Sequence, residues 1–188
     1  DSIRWQMIPN TYEMWWETDA EEAVLRLTKE SAIWWNPERL EKAKNKDLSA
    51  EEAVILASIV QAETSNISEA PIVAGLYLNR LKIGQALQAD PTLIYAWDDI
   101  SITRVLNKHK EIDSPYNTYT HAGLPPGTIR TPEPTYIDAV LNAAEHDFFY
   151  MCAEPGGTGK HVFERRYTDH LINARKYQKW LNKQNIYR

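Results

Sequence analysis

Apolar residues recur along most of this chain at helical spacing, and the breaks between those runs mark the elements. Thr18 with Glu21 has the form of a capping box, and Ala20, Ala23, Val24, Leu27, Ser31 and Trp34 then fall on one helical face. Asn36-Pro37 reads as N-cap and first residue of a short charged helix through about Lys46. Ser49 with Glu52 opens a third helix, whose apolar face is Val54, Ile55, Leu56, Ala57, Ile59 and Val60. Ser68 is the expected cap of a fourth, with Pro71 tolerated in its first turn, Ile72, Val73, Leu76, Tyr77 and Leu81 as its face, and Gly84 just past its end.

Beyond Gln85 the helical signals shorten. Asp90-Pro91 has the look of N-cap and first residue of a turn through Trp97, and a weaker helix is expected over Ser101–His109. From Asp113 to Pro134 five prolines and two glycines predict a long irregular loop. Thr135 then caps a helix with Ile137, Val140, Leu141 and Ala144, and a last helix runs from Thr168 to about Lys183. Strand-like patterning is confined to Ile3–Ile8, stopped by Pro9, and to Phe148–Ala153 and His161–Arg165, which face each other as a hairpin across residues 155–159. The expected fold is therefore α+β: a helix-rich domain with a C-terminal β-hairpin and a short N-terminal strand.

Composition narrows the function more than the fold. The 188 residues, 43% of them hydrophobic, suffice for one domain with a sizeable core. A net charge of −5 without a basic stripe argues against nucleic acid as a partner. No apolar run is long enough to span a membrane. The five histidines are scattered with no metal-ligand spacing, so no metal site is expected. Cys152 is the only cysteine and lies in an expected strand, where packing explains it.

Against that background one carboxylate stands out. Residues 60, 59 and 56 lie three, four and seven positions before Glu63, which places Glu63 on the apolar stripe at the C-terminal end of its helix. Desolvation and the negative end of the helix dipole both oppose its ionisation, which suits a general acid working near neutrality. Its plain alternative is a glutamate escaping to solvent at a frayed helix end. A polar turn at Gln88, Asp90 and Thr92 and an aromatic-amide loop at Tyr116, Asn117 and Tyr119 complete the inventory of a carbohydrate site: one proton donor, groups for sugar hydroxyls, and rings for stacking. Asp90 capping its helix, and the two tyrosines pinning their loop, are the structural alternatives. The loop is expected to form one wall of the cleft, with Asn117 facing the sugar.

Five ordered stretches then resemble one family: Ala57-Ser58-Ile59-Val60-Gln61-Ala62-Glu63-Thr64, Leu78-Asn79-Arg80-Leu81, Leu87-Gln88-Ala89-Asp90-Pro91-Thr92, Ser114-Pro115-Tyr116-Asn117-Thr118-Tyr119 and Gly123-Leu124-Pro125-Pro126-Gly127. They are similar to the YceG-like, or MltG, family of bacterial endolytic murein transglycosylases, from about Met7 to Leu181. Gln61-Ala62 and Thr128 depart from common family residues without touching the proposed chemistry. The resemblance implies cleavage within peptidoglycan glycan strands, between N-acetylmuramic acid and N-acetylglucosamine, leaving 1,6-anhydro ends. It maps the catalytic glutamate onto Glu63 and adds Asn79 to the substrate-binding candidates Gln88, Asp90, Thr92, Tyr116, Asn117 and Tyr119. It implies no cofactor, cell-wall synthases as candidate partners, and a cell-envelope location with membrane contact only through an N-terminal anchor missing from this chain. Residues 1–47 would be the N-terminal part of the catalytic region, with the end of a LysM-like segment at 1–17, and residues 48–188 the catalytic core. A hydrolytic muramidase pairing Glu63 with Asp90, and a glycan-binding module without activity, are the competing readings.

Overall fold

The centre of the molecule is a helix buried on every side. In the computed structural model, which describes residues 3–102 and 105–184, α3 spans Ala50–Glu63, and every residue from Ala53 to Val60 is buried. This exceeds the one apolar stripe the sequence suggests. A helix apolar all round needs neighbours all round, and α3 packs against α2 (Pro37–Lys44), α4 (Ala70–Lys82), α5 (Asp90–Trp97) and α6 (Pro134–Leu141). Its start is the expected capping box. Ser49 Oγ accepts the Glu52 N–H at 3.2 Å, and a Glu52 carboxylate oxygen accepts the Ser49 N–H at 2.8 Å.

The other helices form where expected, with shifted starts. In α1 (Ala20–Trp34) the cap is Asp19, which accepts the Glu22 N–H at 2.8 Å, because Thr18 is held in the preceding turn through its N–H to Trp15 O. Ser68 does not cap α4. Asn66 Oδ1 takes both its N–H and its hydroxyl, and Glu69 stands at the N-cap without making a cap bond. Asp90 lies inside α5, whose N-cap is Ala89. Glu133, not Thr135, precedes α6. Past α4, Gly84 takes a φ of +67°, a backbone state glycine adopts without strain, and lets the Gln85 N–H reach back to Arg80 O at 2.9 Å.

Two expectations fail. Ile3–Ile8 forms no strand; Arg4–Gln6 is a 3-10 turn, with the Gln6 and Met7 N–H groups returned to Ile3 and Arg4 carbonyls. The only sheet among the described residues is two-stranded and leaves this segment no ladder to join, so Ile8 is buried as a core residue instead. The helix expected over Ser101–His109 is replaced, where the chain is described, by a 3-10 turn at Asn107–Glu111. Residues 103 and 104 of that expectation lie outside the described residues. Its apolar anchors Ile102, Val105 and Leu106 are too few to offset helix nucleation. Residues 113–133 are irregular, as the prolines dictate.

The hairpin forms as read. β1 (Tyr150–Ala153) pairs antiparallel with β2 (His161–Glu164), in a register joining Tyr150 to Glu164 and Ala153 to His161. The last helix, α7 (Tyr167–Lys183), packs on both strands. Gly75 lets the segment after α6 approach α4: a Cβ there would stand 2.3 Å from the Ala144 carbonyl oxygen, whose own residue donates its N–H to Pro71 O at 2.9 Å. No described helix is long and apolar enough to cross a membrane.

Candidate active site

Glu63 is the last residue of α3, at the foot of a cleft of about 360 Å³ between the helical core and the hairpin–α7 unit. One wall carries Tyr77 and Arg80 from α4, Gln88, Asp90 and Tyr119; the other carries β1, His161 and the α7 side chains Tyr167, His170 and Tyr177. The Tyr77 hydroxyl donates to Glu63 Oε1 at 2.7 Å. Burial pushes the Glu63 carboxyl up to about 7, and the negative charge of Asp90 adds to that. The Tyr77 hydrogen bond and the Arg80 guanidinium oppose the shift without cancelling it. Glu63 keeps some accessible surface; its carboxyl is surrounded by protein except toward the cleft, so the desolvated description governs the direction of the shift.

Arg80 is a buried cation with no carboxylate within salt-bridge distance among the described residues. Its Nε–H donates to Phe149 O at 2.7 Å and a terminal N–H donates to Leu87 O at 2.5 Å. Desolvation lowers its pKa from the usual arginine value. Those backbone carbonyls hold the guanidinium beside Glu63 and tie the strand side of the cleft to α4.

The expected site residues divide. Gln88, Asp90 and Tyr119 share the cleft with Glu63. Asp90 Oδ1 accepts the Tyr119 hydroxyl at 2.5 Å, and burial together with that negative charge raises the Tyr119 pKa. The other four lie elsewhere. Thr92 is fully buried; its hydroxyl meets Ala89 O and Thr118 Oγ1, each at 2.8 Å, and so fixes the turn that presents Gln88 and Asp90. Asn117, expected to face the sugar, is also fully buried. Its amide donates to the Lys110 and Ile112 carbonyls at 2.9 Å, and its Oδ1 accepts the Tyr119 N–H at 3.0 Å. With its amide used between the loop and the 3-10 turn before it, Asn117 shapes the loop and offers nothing to the cleft. Tyr116 packs its ring against Tyr95, centroids 4.8 Å apart. Asn79 donates to the His146 and Phe148 carbonyls at 2.8 and 3.1 Å. Of the loop expected to wall the cleft, Tyr119 is the residue that reaches it.

A larger hollow, about 650 Å³, opens on another face of α4 beside Asn79 and His146. Two of its polar groups are bonded to backbone carbonyls: the Asn79 amide as above, and His146 Nε2 to Ile72 O at 2.9 Å. Glu63 does not line it, so size does not mark the chemistry here. Sequence reasoning missed Tyr77, Arg80 and the aromatic side chains of α7. Tyr77 sits in the apolar face of α4 and reads as core, and the approach of α7 to Glu63 is a tertiary fact with no local signal. Among the described residues no cluster of His, Cys, Asp and Glu is placed to hold a metal, and the partly buried Cys152 thiol is pushed up by burial, away from reactivity.

The YceG-like family model matches residues 2–176 of this sequence. The chain belongs to the YceG-like family. An endolytic murein transglycosylase of Bacillus subtilis is 32% identical over 161 residues, covering 86% of this chain and 44% of the relative. One from Streptococcus pneumoniae R6 is 27% identical over 179 residues, covering 91% of this chain and 31% of the relative. The crystal structure of a yceG-like protein from Listeria monocytogenes superposes with a TM-score of 0.77 at 28% identity, over 89% of this chain and 54% of that one. This YceG-like chain thus spans less than half the length of either curated relative.

Proposed function

We propose that this YceG-like chain cleaves glycan strands of peptidoglycan internally, as a lytic transglycosylase, with Glu63 as acid and then base. The observation that supports it most is a single buried carboxyl held near neutral acidity at the foot of an open cleft. The names of the relatives agree with it. In the acid form, Tyr77 occupies Oε1 as a donor, so the carboxyl proton resides on Oε2. From there it passes to the bridging glycosidic oxygen as the C1–O bond breaks. The carboxylate left behind is stabilised by the Tyr77 donation and the Arg80 charge. It then takes the proton of the muramyl 6-hydroxyl, whose oxygen bonds to C1 and closes the 1,6-anhydro ring. Attack from within the same sugar gains effective molarity and needs no second carboxylate to activate water. The charge of Asp90, bound by Tyr119, adds to the burial that favours the acid form of Glu63.

Products released from purified peptidoglycan, measured by mass spectrometry, test the reaction directly. Anhydro ends, one water lighter than reducing ends, are the expected result, and Glu63→Gln should yield none. Reducing ends would instead establish hydrolysis. Action at the cell envelope, an N-terminal anchor in the full-length protein and a partnership with cell-wall synthases belong to the same proposal and are supported by the family resemblance alone.

A further inference from the structure

We propose that His161, clamped by Glu69, is a substrate-positioning residue: its Nε2 hydrogen-bonds a polar group on the sugar beside the bond that Glu63 attacks. This rests on the glycan-cleaving reading above. The cleft is two hollows that meet. One is the 360 Å³ chamber already described; the other, about 380 Å³, runs on past Ser65, Lys160 and Trp180. Glu63, Ala153, His161 and Tyr177 line both. A strand threading the two chambers would place its scissile bond at that junction, and His161 stands there with the acid.

The ring is held by a two-armed clamp. Glu69 Oε1 accepts the His161 backbone N–H, and Oε2 lies 3.1 Å from Nδ1, the two side chains being 11% and 16% exposed. A carboxylate can only accept, so Nδ1 carries a proton and Nε2 is the ring nitrogen left for a ligand. Nε2 has no protein partner among the described residues. Glu69 sits at the N-cap position of α4 and makes no cap bond there, so both of its oxygens serve the clamp. Anchoring the hairpin to α4 needs only the backbone arm. The second arm satisfies the other Glu69 oxygen and fixes the ring's orientation, which leaves Nε2 at a set place in the cleft.

Binding of purified glycan strands in a Glu63→Gln background separates this from the catalytic assignment. His161→Asn retains a donor for Glu69 and loses the cleft-facing nitrogen; His161→Gln carries an amide out to the Nε2 position. The expected result is an affinity about tenfold weaker for Asn, the equivalent of one lost hydrogen bond, with most affinity retained for Gln and melting temperatures unchanged. Equal affinity in the Asn variant, or a loss that follows its melting temperature, overturns the proposal while leaving Glu63 catalysis standing. Should the Asn variant fail to fold, Glu69→Gln decides. Its amide can donate to Nδ1, so imidazole ¹⁵N shifts should report the reversed tautomer together with weakened binding. A reversed tautomer with unchanged affinity overturns the role. If the single Glu63→Gln variant binds no glycan and the parent releases no fragments, the glycan-cleaving reading itself fails, and this inference with it.

Discussion

At the scale of the residue, the proposed role of Glu63 as acid ties turnover to stability through one proton. Its folded pKa of about 7 lies above the ordinary 4.5, so the folded protein binds that proton more tightly than the unfolded chain does. The stabilisation linked to it is complete below pH 4.5 and is lost as pH rises through about 7. Glu63→Gln carries no charge at any pH. It should therefore melt above the parent at pH 8, by on the order of 3 kcal/mol at most, with the gap closing at pH 4.5. Thermal unfolding at the two pH values checks this, and a gap independent of pH would mean that the carboxyl is not desolvated in the folded state. Turnover should fall along an alkaline limb near pH 7 as the acid form disappears. Asn117 offers the contrast. Because its amide serves three backbone groups in its own loop and the 3-10 turn before it, Asn117→Ala should lower stability by about 2–4 kcal/mol and leave the turnover of the folded fraction nearly intact. Lost turnover at an unchanged melting temperature would return Asn117 to the cleft.

At the scale of the element, α3 is the part on which the rest depends. Leu56 is fully buried at its middle, and Leu56→Ala should cost about 2–5 kcal/mol, read as a lower denaturant midpoint with an unchanged slope. An unchanged midpoint would contradict the burial. The same helix shows what a sequence can reveal. Its capping box, its apolar run and the acid at its end are all local signals, and each is present in the fold. The hairpin was legible for the same reason, since period-two patterning and a glycine-rich turn are encoded within a few residues of each other. Partnership is not encoded locally. Ile3–Ile8 has strand composition and no neighbour to pair with. Asn117 has the chemistry of a sugar ligand and is consumed by its own loop and the 3-10 turn before it. Tyr77 looks like core until α3 delivers a carboxylate 2.7 Å away. Glu63 could be singled out from sequence; the groups that shift its acidity could not, because they reach it only through packing.

At the scale of the molecule, the cleft divides a dense half from a lighter one. α3, α4 and α6 carry most of the buried core, whereas neither strand of the hairpin nor α7 has a fully buried residue. The lighter half is tied to the denser one by polar links: Asn79 to the His146 and Phe148 carbonyls, Arg80 to Phe149 O, and Glu69 to His161. Regions with little buried apolar surface open locally at a lower free energy than the global unfolding reaction. Hydrogen exchange should accordingly show the amides of Tyr150–Ala153, His161–Glu164 and α7 exchanging through sub-global openings, while those at the centre of α3 exchange only on global unfolding. A glycan lying between Glu63 and the hairpin would bridge the two halves and raise the free energy of opening in the lighter one alone. With Glu63→Gln and saturating glycan strands, protection should rise in the hairpin and α7 and stay constant in α3. Equal protection of both halves without ligand would show that the hairpin and α7 are part of one cooperative core. Protection rising elsewhere, with these segments unaffected, would place the glycan outside the cleft.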